Sequence, residues 1–173
     1  MAIVCKEAAE EYVKQNPDFE ILAPLVMNSD IILESDREIK KIGFTANKWF
    51  HRDFLIEKYG GNVELFEMNA QSLPYSYEVG RIDAVIMDIT KLGILEGKVL
   101  QPSDDDYVSY VLIVKSIYKK TDEFRLFVNA FNDAVKQLNE NKKYQKYINE
   151  YSNLTERRRS EWKVKLLKID GLN

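Results

Sequence analysis

The chain contains 173 residues, 45% of them hydrophobic and 31% charged, which is typical of a folded globular protein with one core or two small lobes and excludes fibrous or disordered chains. The net charge of −3 lacks the basic excess of nucleic-acid binders, so we predict no nucleic-acid partner. A single Cys and a single His exclude an internal disulfide, Cys-based zinc sites and His-rich metal sites, and leave open a site of one His with carboxylates. We predict neither a metal nor a cofactor.

The first part of the chain alternates extended and helical segments. A short buried strand over residues 1–4 precedes an amphipathic helix over 6–16. A second strand covers 19–26, where Pro24 indicates a sheet edge or a strand end, and a third extended segment covers 29–35.

After a polar turn, the alternation of strands and helices begins again. Asn47 is a plausible N-cap, Pro74 suits a first helical turn, and Gly60 and Gly80 are typical helix ends. The predicted elements are a strand over 40–46, a helix over 48–59, a strand over 62–68, a short helix over 72–81 and a strand over 82–87.

The last part of the chain is predicted to end in helices. Thr121 is the expected cap of a long amphipathic helix. The predicted elements are a helix or loop over 90–97, strands over 98–102 and 107–116, and helices over 121–140, 141–153 and 155–168.

Strands and helices that alternate, with strands lacking a polar face, predict an α/β fold with mostly parallel sheets and helices on both faces. The alternation of strands and helices is interrupted near residues 34–40, and the chain returns to the first part through residues 109–114. This suggests two lobes joined by two crossing strands. We predict a first lobe from residues 1–33 and 112–173, and a second, inserted α/β lobe from 34–111.

Residues 40–69 followed by 80–88 resemble the second lobe of type 2 solute-binding proteins of ABC transporters, in the branch of the sulfonate, nitrate and thiamine-precursor binders. Residues 43–47 match the strand and polar loop that open that lobe, and Gly80 begins its G-x-x-D-A element. Residues 124–148 are similar to the helix after the second crossing, and the start of the chain is similar to the late part of a first lobe. The resemblance implies a periplasmic-binding-protein-like II fold with a shortened first lobe, and non-catalytic, transport-related binding of a small solute in an inter-lobe cleft.

In open parallel sheets, ligands bind beyond the carboxyl ends of the strands, where the following helices offer N–H groups. We therefore predict ligand contacts at the strand tips of both lobes, with Asp88 suited to an amine or a hydroxyl group. The predicted contacts are Thr45, Ala46, Asn47, Asn69, Ser72, Asp88, Thr90, Cys5, Lys6 and Glu7.

Purely structural roles compete with these assignments. Asp88, Thr90 and Asn47 also fit helix caps, which does not exclude ligand contact. His51 is interpreted as a surface or half-buried structural residue, and Cys5 as an inert core thiol.

Other polar groups are interpreted as structural. Asp83 starts its strand, which favours a turn role, and residues 104–106 lack the spacing of a calcium loop, which favours a solvated turn. Residues 156–159 predict an exposed basic helix face, with an acidic partner or a membrane surface as the alternative. A tyrosine stripe at 144, 147 and 151 is assigned to packing.

Two alternative functions stay open beside solute binding. An enzyme on the same scaffold would need a carboxylate or a Ser near His51 or Cys5, but the chain carries no P-loop, G-x-S-x-G or H-E-x-x-H motif, so we predict no enzyme. A ligand-sensing or assembly module would use a homodimer or a separately encoded partner to cover the short first lobe.

The predicted location follows from apolar runs and from the start of the sequence. The longest apolar runs, such as 110–114, are far shorter than the roughly 20 residues that span a bilayer. The sequence as it stands shows no signal peptide, which predicts a cytoplasmic protein, or an extracytoplasmic one if further residues precede it. Membrane contact is expected only through a transporter.

Overall fold

The computed structural model describes residues 1–93, 95–140, 143, 146 and 163–170. The chain divides into two units. Within the described residues, the first contains 1–29, 106–140, 143, 146 and 163–170, and the second contains 30–93 and 95–105. The strands are β1 (Ala2–Cys5), β2 (Phe19–Met27), β3 (Asp30–Glu34), β4 (Lys41–Thr45), β5 (Glu64–Met68), β6 (Ala84–Asp88), β7 (Lys98–Leu100), β8 (Val108–Lys115) and β9 (Lys165–Leu166). The α-helices are α1 (Lys6–Gln15), α2 (Trp49–Tyr59), α3 (Leu73–Glu78) and α4 (Asp122–Asn139).

The unit boundaries fall between elements. The predicted lobe boundaries at 33/34 and 111/112 cut through β3 and β8, whereas the structure changes unit before each of these strands. β3 therefore belongs whole to the second unit, and β8 belongs whole to the first.

The first unit contains a four-stranded sheet in the order β1-β8-β2-β9, with antiparallel pairs throughout its described strands. On one face, α4 packs Phe124 and Val128 against Leu25 and Leu112 of the two central strands. As predicted, α4 is capped by Thr121, whose hydroxyl accepts the N–H of Phe124 at 3.2 Å. On the other face, α1 contributes Ala9.

The structure corrects three expectations for the first unit, wholly or in part. β1 is an outer strand and not a buried one, because Ile3 is 48% exposed. Pro24 lies inside β2, beside an irregularity in its register with β8, so the strand-end alternative is wrong; the edge alternative is met at this position, because the described pairing of β9 with β2 covers only Val26 and Met27. Lys165–Leu166 pairs with β2 as a strand, although these residues were predicted to be helical. A strand of two residues carries too few side chains to show a period in the sequence.

The second unit contains a five-stranded sheet in the order β5-β4-β6-β3-β7. β4 runs parallel to β5 and β6, while β3 runs antiparallel to β6 and β7. The α/β class with two sheets is as predicted, but parallel pairs are a minority among the described strands. A strand such as β3, buried on both faces, has the same apolar sequence whatever the direction of its neighbours, so its direction could not be read from composition.

Helices cover both faces of the second sheet. On one face, Leu55 of α2 packs with Ile42, Phe44 and Ile86 of the central strands. On the other face, α3 approaches β4 closely at Gly43, where a Cβ atom would lie 2.9 Å from Leu73 Cδ2. Gly43 is therefore needed for the packing of α3.

Some predictions fall outside the described residues. These are the helix over 141–153, most of the helix over 155–168, the basic face at 156–159 and the tyrosine stripe at 144, 147 and 151. In the part of the chain that the structure describes, no helix is both long and apolar enough to cross a membrane.

Candidate functional site

The carboxyl ends of β4, β5 and β6 lie together at one edge of the second sheet, which we call the strand-tip edge. The loops there are joined by hydrogen bonds: Ala46 N–H donates to Met68 O at 2.8 Å, and Lys91 Nζ donates to Ala70 O at 3.2 Å. The structure thus brings together the seven predicted contacts of the second unit: Thr45, Ala46, Asn47, Asn69, Ser72, Asp88 and Thr90.

The turn after β4 is held by backbone and side-chain bonds. Asn47 adopts a left-handed conformation with φ of 62°, which Asn tolerates better than most residues. Its N–H donates to Glu67 Oε1 at 2.9 Å, and Lys48 N–H donates to Thr45 O at 3.2 Å. Lys48, and not Asn47, occupies the N-cap position of α2, so the capping role predicted for Asn47 is wrong.

The turn after β5 closes on itself. Asn69 Oδ1 accepts the N–H of Gln71 at 2.9 Å, and Asn69 O accepts both the N–H and the hydroxyl of Ser72. Pro74 then occupies the first turn of α3, as predicted. Asn69 is exposed and Ser72 half-buried, so this turn presents polar groups at the strand-tip edge.

Asp88 ends β6 and caps the short 3-10 helix over Ile89–Lys91. Its Oδ1 accepts the N–H and the hydroxyl of Thr90, the former at 2.9 Å. The capping interpretation of Asp88 is therefore confirmed. Asp88 is 8% exposed, whereas Thr90 is exposed to solvent.

A buried ionic cluster lies under the strand-tip edge and was missed in the sequence analysis. Lys48 Nζ and His51 Nε2 each lie 3.1 Å from Oδ1 of Asp30, although the histidine contact departs from the direction of a straight hydrogen bond. Asp30 begins β3 and lies opposite Asp88 in the register with β6. Because β3 is antiparallel to β6, its first residue is at the same edge as the last residue of β6.

Charge states in this cluster follow from burial and mutual contact. Burial lowers the pKa of His51 and outweighs the opposing effect of Asp30, so the imidazole is neutral at pH 7. For Asp30, burial is the largest single effect and raises the pKa, but His51 and Lys48 together lower it below its ordinary value. The cluster is thus an Asp30 carboxylate paired with the Lys48 ammonium, with a neutral imidazole beside them.

The surface or half-buried position predicted for His51 is wrong, because the residue is 0% exposed. Nothing in the helix pattern around Trp49 and Phe50 revealed a distant partner. The sequence does contain one indication of such a partner: Asp30 directly precedes an apolar stretch. A carboxylate at the start of a buried strand requires a cation or hydrogen-bond donors nearby.

Asp30 and His51 supply the carboxylate–histidine pair that an enzyme would require. Both side chains are 0% exposed, so neither reaches a substrate in this conformation. The cluster instead holds the Thr45–Lys48 turn at the strand-tip edge, because Lys48 Nζ donates to Asp30 at the start of β3.

The three predicted contacts of the first unit lie where β1 meets α1. Cys5 is half-buried, and not a core thiol as predicted, while Lys6 is exposed with its Nζ 3.8 Å from Glu10 Oε1. Glu7 is half-buried in the first turn of α1. Their participation in a shared inter-lobe cleft stays a prediction.

Other acidic groups have structural roles. Asp83 Oδ2 accepts the N–H groups of Lys40 and Lys41, which confirms its turn role. Asp106 is bonded by Asn28 Nδ2 at 2.7 Å and by Lys165, so it is more than a solvated turn residue. Within the described ranges, no group of three or more His, Cys, Asp or Glu side chains could hold a metal ion.

A cavity of about 590 Å³ lies at the opposite edge of the second sheet and contains none of the predicted contacts. It is lined in part by Asp36, Arg37, Tyr77 and Glu96. Arg37 donates to the carbonyl oxygens of Gly80 and Ile82, and Tyr77 donates to Glu96 O at 2.7 Å. Arg37 and Tyr77 are thus bonded to the walls of this cavity, and because it contains none of the predicted contacts we place the candidate site at the strand-tip edge.

Comparison with known proteins gives structural matches alone. No protein-family model and no curated protein matches the sequence. The ligand-binding component of an ABC-type import system from Staphylococcus aureus, solved with zinc bound, superposes with a TM-score of 0.68 at 14% identity over 97% of this chain and 67% of that one. An ABC transporter structure from Parabacteroides distasonis superposes with a TM-score of 0.65 at 9% identity, over 90% of this chain and 61% of that one. The alkanesulfonate-binding protein of Xanthomonas axonopodis pv. citri, bound to MOPS, superposes with a TM-score of 0.59 at 13% identity, over 96% of this chain and 68% of that one.

The chain has the fold of the ABC-type solute-binding proteins. This confirms the fold implied by the sequence resemblance. The chain spans 61 to 68% of the length of these three structures, and at 9 to 14% identity the shared property is the fold.

Proposed function

We propose that the chain binds a small solute without catalysis, and that the strand-tip edge of the second unit supplies the contacts. The supporting observation is the set of polar side chains at three adjacent strand ends, on a turn fixed by the buried Asp30–Lys48 pair. The fold shared with ABC-type solute-binding proteins supports the same function.

The ligand chemistry is proposed from Asp88 and Thr90. Asp88 carries a carboxylate that accepts hydrogen bonds, and Thr90 next to it is exposed. An amine or hydroxyl group of the solute would donate to this carboxylate, and charge-assisted bonds of this kind are the stronger ones. A solute with at least one such group is therefore the proposed ligand class.

The burial of the single imidazole favours binding without catalysis over an enzymatic function. His51 is enclosed between Asp30 and the ring of Phe50, whose centroid lies 4.6 Å away. A general base must come within hydrogen-bonding reach of the proton that it takes from the substrate. The Asp30–His51 pair is therefore assigned to structural support.

A thermal-shift screen tests the proposed function. The panel contains amino acids, sulfonates, pyrimidines and oxyanions. A ligand that binds the folded state alone stabilises it by RT ln(1 + L/Kd), where L is the free ligand concentration, so the melting temperature rises with the logarithm of the ligand concentration when the ligand is well above Kd. Calorimetric titration of each hit then gives Kd for the unmodified chain and for Asp88→Asn.

Asp88→Asn should raise Kd for an amine-bearing ligand by about tenfold or more, because the replacement keeps the shape and removes the charge. The matched control is Asp36→Asn, an exposed carboxylate at the opposite edge of the same sheet, which should leave Kd unchanged. Absence of any hit in the panel, or equal Kd values for the two variants, would count against a site at Asp88.

A transporter partner and an extracytoplasmic location belong to the same proposal. A solute-binding function in import requires a membrane-embedded transporter that receives the ligand. Fractionation of the producing cells, with immunodetection of the chain, distinguishes this location from the cytoplasmic one predicted from the sequence.

A further inference from the structure

β5 is an outer strand of the second sheet, and a groove runs beside it on the α2 face. Among the described strands, β5 pairs with β4 alone. The groove has a volume of about 490 Å³ and is lined by Trp49, Arg52 and Ile56 of α2 and by Leu65 and Glu67 of β5, among others.

The backbone groups on the outer side of β5 belong to Leu65 and Glu67. Glu64 N–H donates to Lys40 O at 2.7 Å, and Met68 O accepts the N–H of Ala46 at 2.8 Å, so the even-numbered residues of β5 face β4. Hydrogen-bonding groups of alternate residues point to opposite sides of a strand. Leu65 and Glu67 therefore direct their N–H and C=O groups outwards, where no described residue bonds to them.

Apolar side chains beside this edge are uncovered in the described structure. Trp49 is 61% exposed and Ile56 is 45% exposed, and they lie about two turns apart on α2. An outer strand next to an exposed apolar groove is a surface suited to another strand.

We propose that β5 pairs antiparallel with β5 of a second copy of this chain, with the two-fold axis at Phe66. In this register Leu65 lies opposite Glu67 of the other copy, and the two residues exchange both N–H···O bonds. The outward backbone groups of both copies are then satisfied, and the two sheets continue into one another.

Charge favours this register. The β5 sequence is ELFEM, and an axis at Phe66 pairs all five residues while placing each Glu opposite an apolar residue. An axis at Glu64 or Glu67 would place two carboxylates directly opposite each other, which is destabilising. Glu67 of one copy, whose Oε1 accepts the N–H of Asn47 in that copy, would lie beside the groove of the other copy, which is lined in part by Arg52; Arg52 is exposed and forms no ion pair with a described residue.

The residue at the axis supports the same arrangement. Phe66 is half-buried and occupies a non-hydrogen-bonded position, where the Cα atoms of facing residues are about 4.5 Å apart. Aromatic side chains facing each other at such positions stabilise strand pairs. The second copy would also cover the groove beside Trp49 and Ile56.

The experiment combines light scattering of the full chain with site-specific cross-linking. At about 100 µM, the unmodified chain is expected to have twice the monomer mass. In a Cys5→Ser background, Phe66→Cys places two thiols directly opposite each other, and copper-phenanthroline oxidation should give a disulfide-linked dimer.

Glu64→Cys in the same background is the matched control. Its two thiols are offset by four residues, which is roughly 14 Å, beyond the reach of a disulfide. We expect at least tenfold more cross-linked dimer from Phe66→Cys than from Glu64→Cys. Circular dichroism of both variants checks that they are folded.

Leu65→Pro gives a second test that does not depend on cysteine. It removes an outward N–H and leaves the bonds to β4 in place, so the variant should stay folded and run as a monomer. A monomeric unmodified chain, equal cross-linking at positions 66 and 64, or a dimeric Leu65→Pro variant would overturn the proposed interface.

Discussion

At the scale of single residues, the structure depends on a carboxylate, an ammonium group and an imidazole buried together. Asp30 and His51 are fully buried, and Lys48 is 8% exposed. Lys48 also lies over the Phe50 ring, 5.4 Å from its centroid, which adds a favourable cation–π contact. Removing one member of such a pair leaves the other charged and buried, which costs more than the pair contributes.

Lys48→Met should therefore lower the free energy of unfolding by about 3–5 kcal/mol, because the Asp30 carboxylate loses its cation. Urea unfolding measures this change. Lys58→Met, on an exposed position of the same helix, is the control and should change stability by less than about 0.5 kcal/mol. Equal effects of the two substitutions would mean that the buried pair contributes little.

Acidification should destabilise the protein in two stages. The pKa of His51 is lowered in the folded state, so below about pH 6.5 the unfolded chain takes up a proton that the folded chain does not, and stability falls. The pKa of Asp30 is also lowered, and its contribution is present above about pH 4 and lost below it.

The chain has one histidine, so the upper stage can be assigned by substitution. Between pH 7 and pH 5, the free energy of unfolding should fall for the unmodified chain and change much less for His51→Gln. A pH dependence that is identical in the two proteins would refute the assignment.

At the scale of elements, glycines fix where helices and strands begin and end. Gly60 and Gly80 have positive φ values of 71° and 73° at the ends of α2 and α3. Gly97, before β7, is the most confined: a Cβ atom there would lie 2.3 Å from Tyr77 Oη and 2.4 Å from the backbone oxygen of Glu34. The backbone of β3 and the side chain of α3 thus leave no room for a side chain at this position.

Gly97→Ala should lower the free energy of unfolding by about 2–4 kcal/mol, since both a positive φ of 149° and a backbone clash oppose the methyl group. Gly61→Ala is the matched control, because a Cβ atom at Gly61 would meet nothing within 4 Å. Thermal and urea unfolding of the two variants give the comparison. A Gly97→Ala protein as stable as Gly61→Ala would contradict the packing described here.

The same local signals explain which parts of the fold could be predicted from the sequence. The cap at Thr121, the proline in α3 and the glycines after α2 and α3 act within a few residues, and all were predicted. The direction of β3 and the pairing of β9 depend on partners many residues away, and they were not. For the site, the strand ends were predictable, whereas Asp30 meets Lys48 and His51 only after the sheet has formed.

At the scale of the whole molecule, the chain forms two units with separate sheets. All described strands of the second sheet, and the described residues of its core, lie within residues 30–105. The first unit is assembled from separate stretches of the chain. The described strands of the second sheet thus come from one stretch of the chain, which favours independent folding of that stretch.

A protein consisting of residues 30–105 should fold without the rest of the chain. We expect a mixed α/β circular dichroism spectrum and a cooperative urea transition, because every pair of described strands in the second sheet lies inside this segment. The same segment with Lys48→Met is the control and should have a lower urea midpoint. A segment that shows no cooperative transition would indicate that the first unit is required for folding.

The burial of His51 gives the protein an internal reporter. One histidine means one set of imidazole signals in an NMR spectrum, so these signals need not be distinguished from those of other histidines. This ring lies 3.1 Å from Asp30, which is opposite Asp88 in the sheet. A solute bound at Asp88 would change the electric field at the His51 ring. The chemical shift of one imidazole proton can therefore report occupancy of the strand-tip edge in solution.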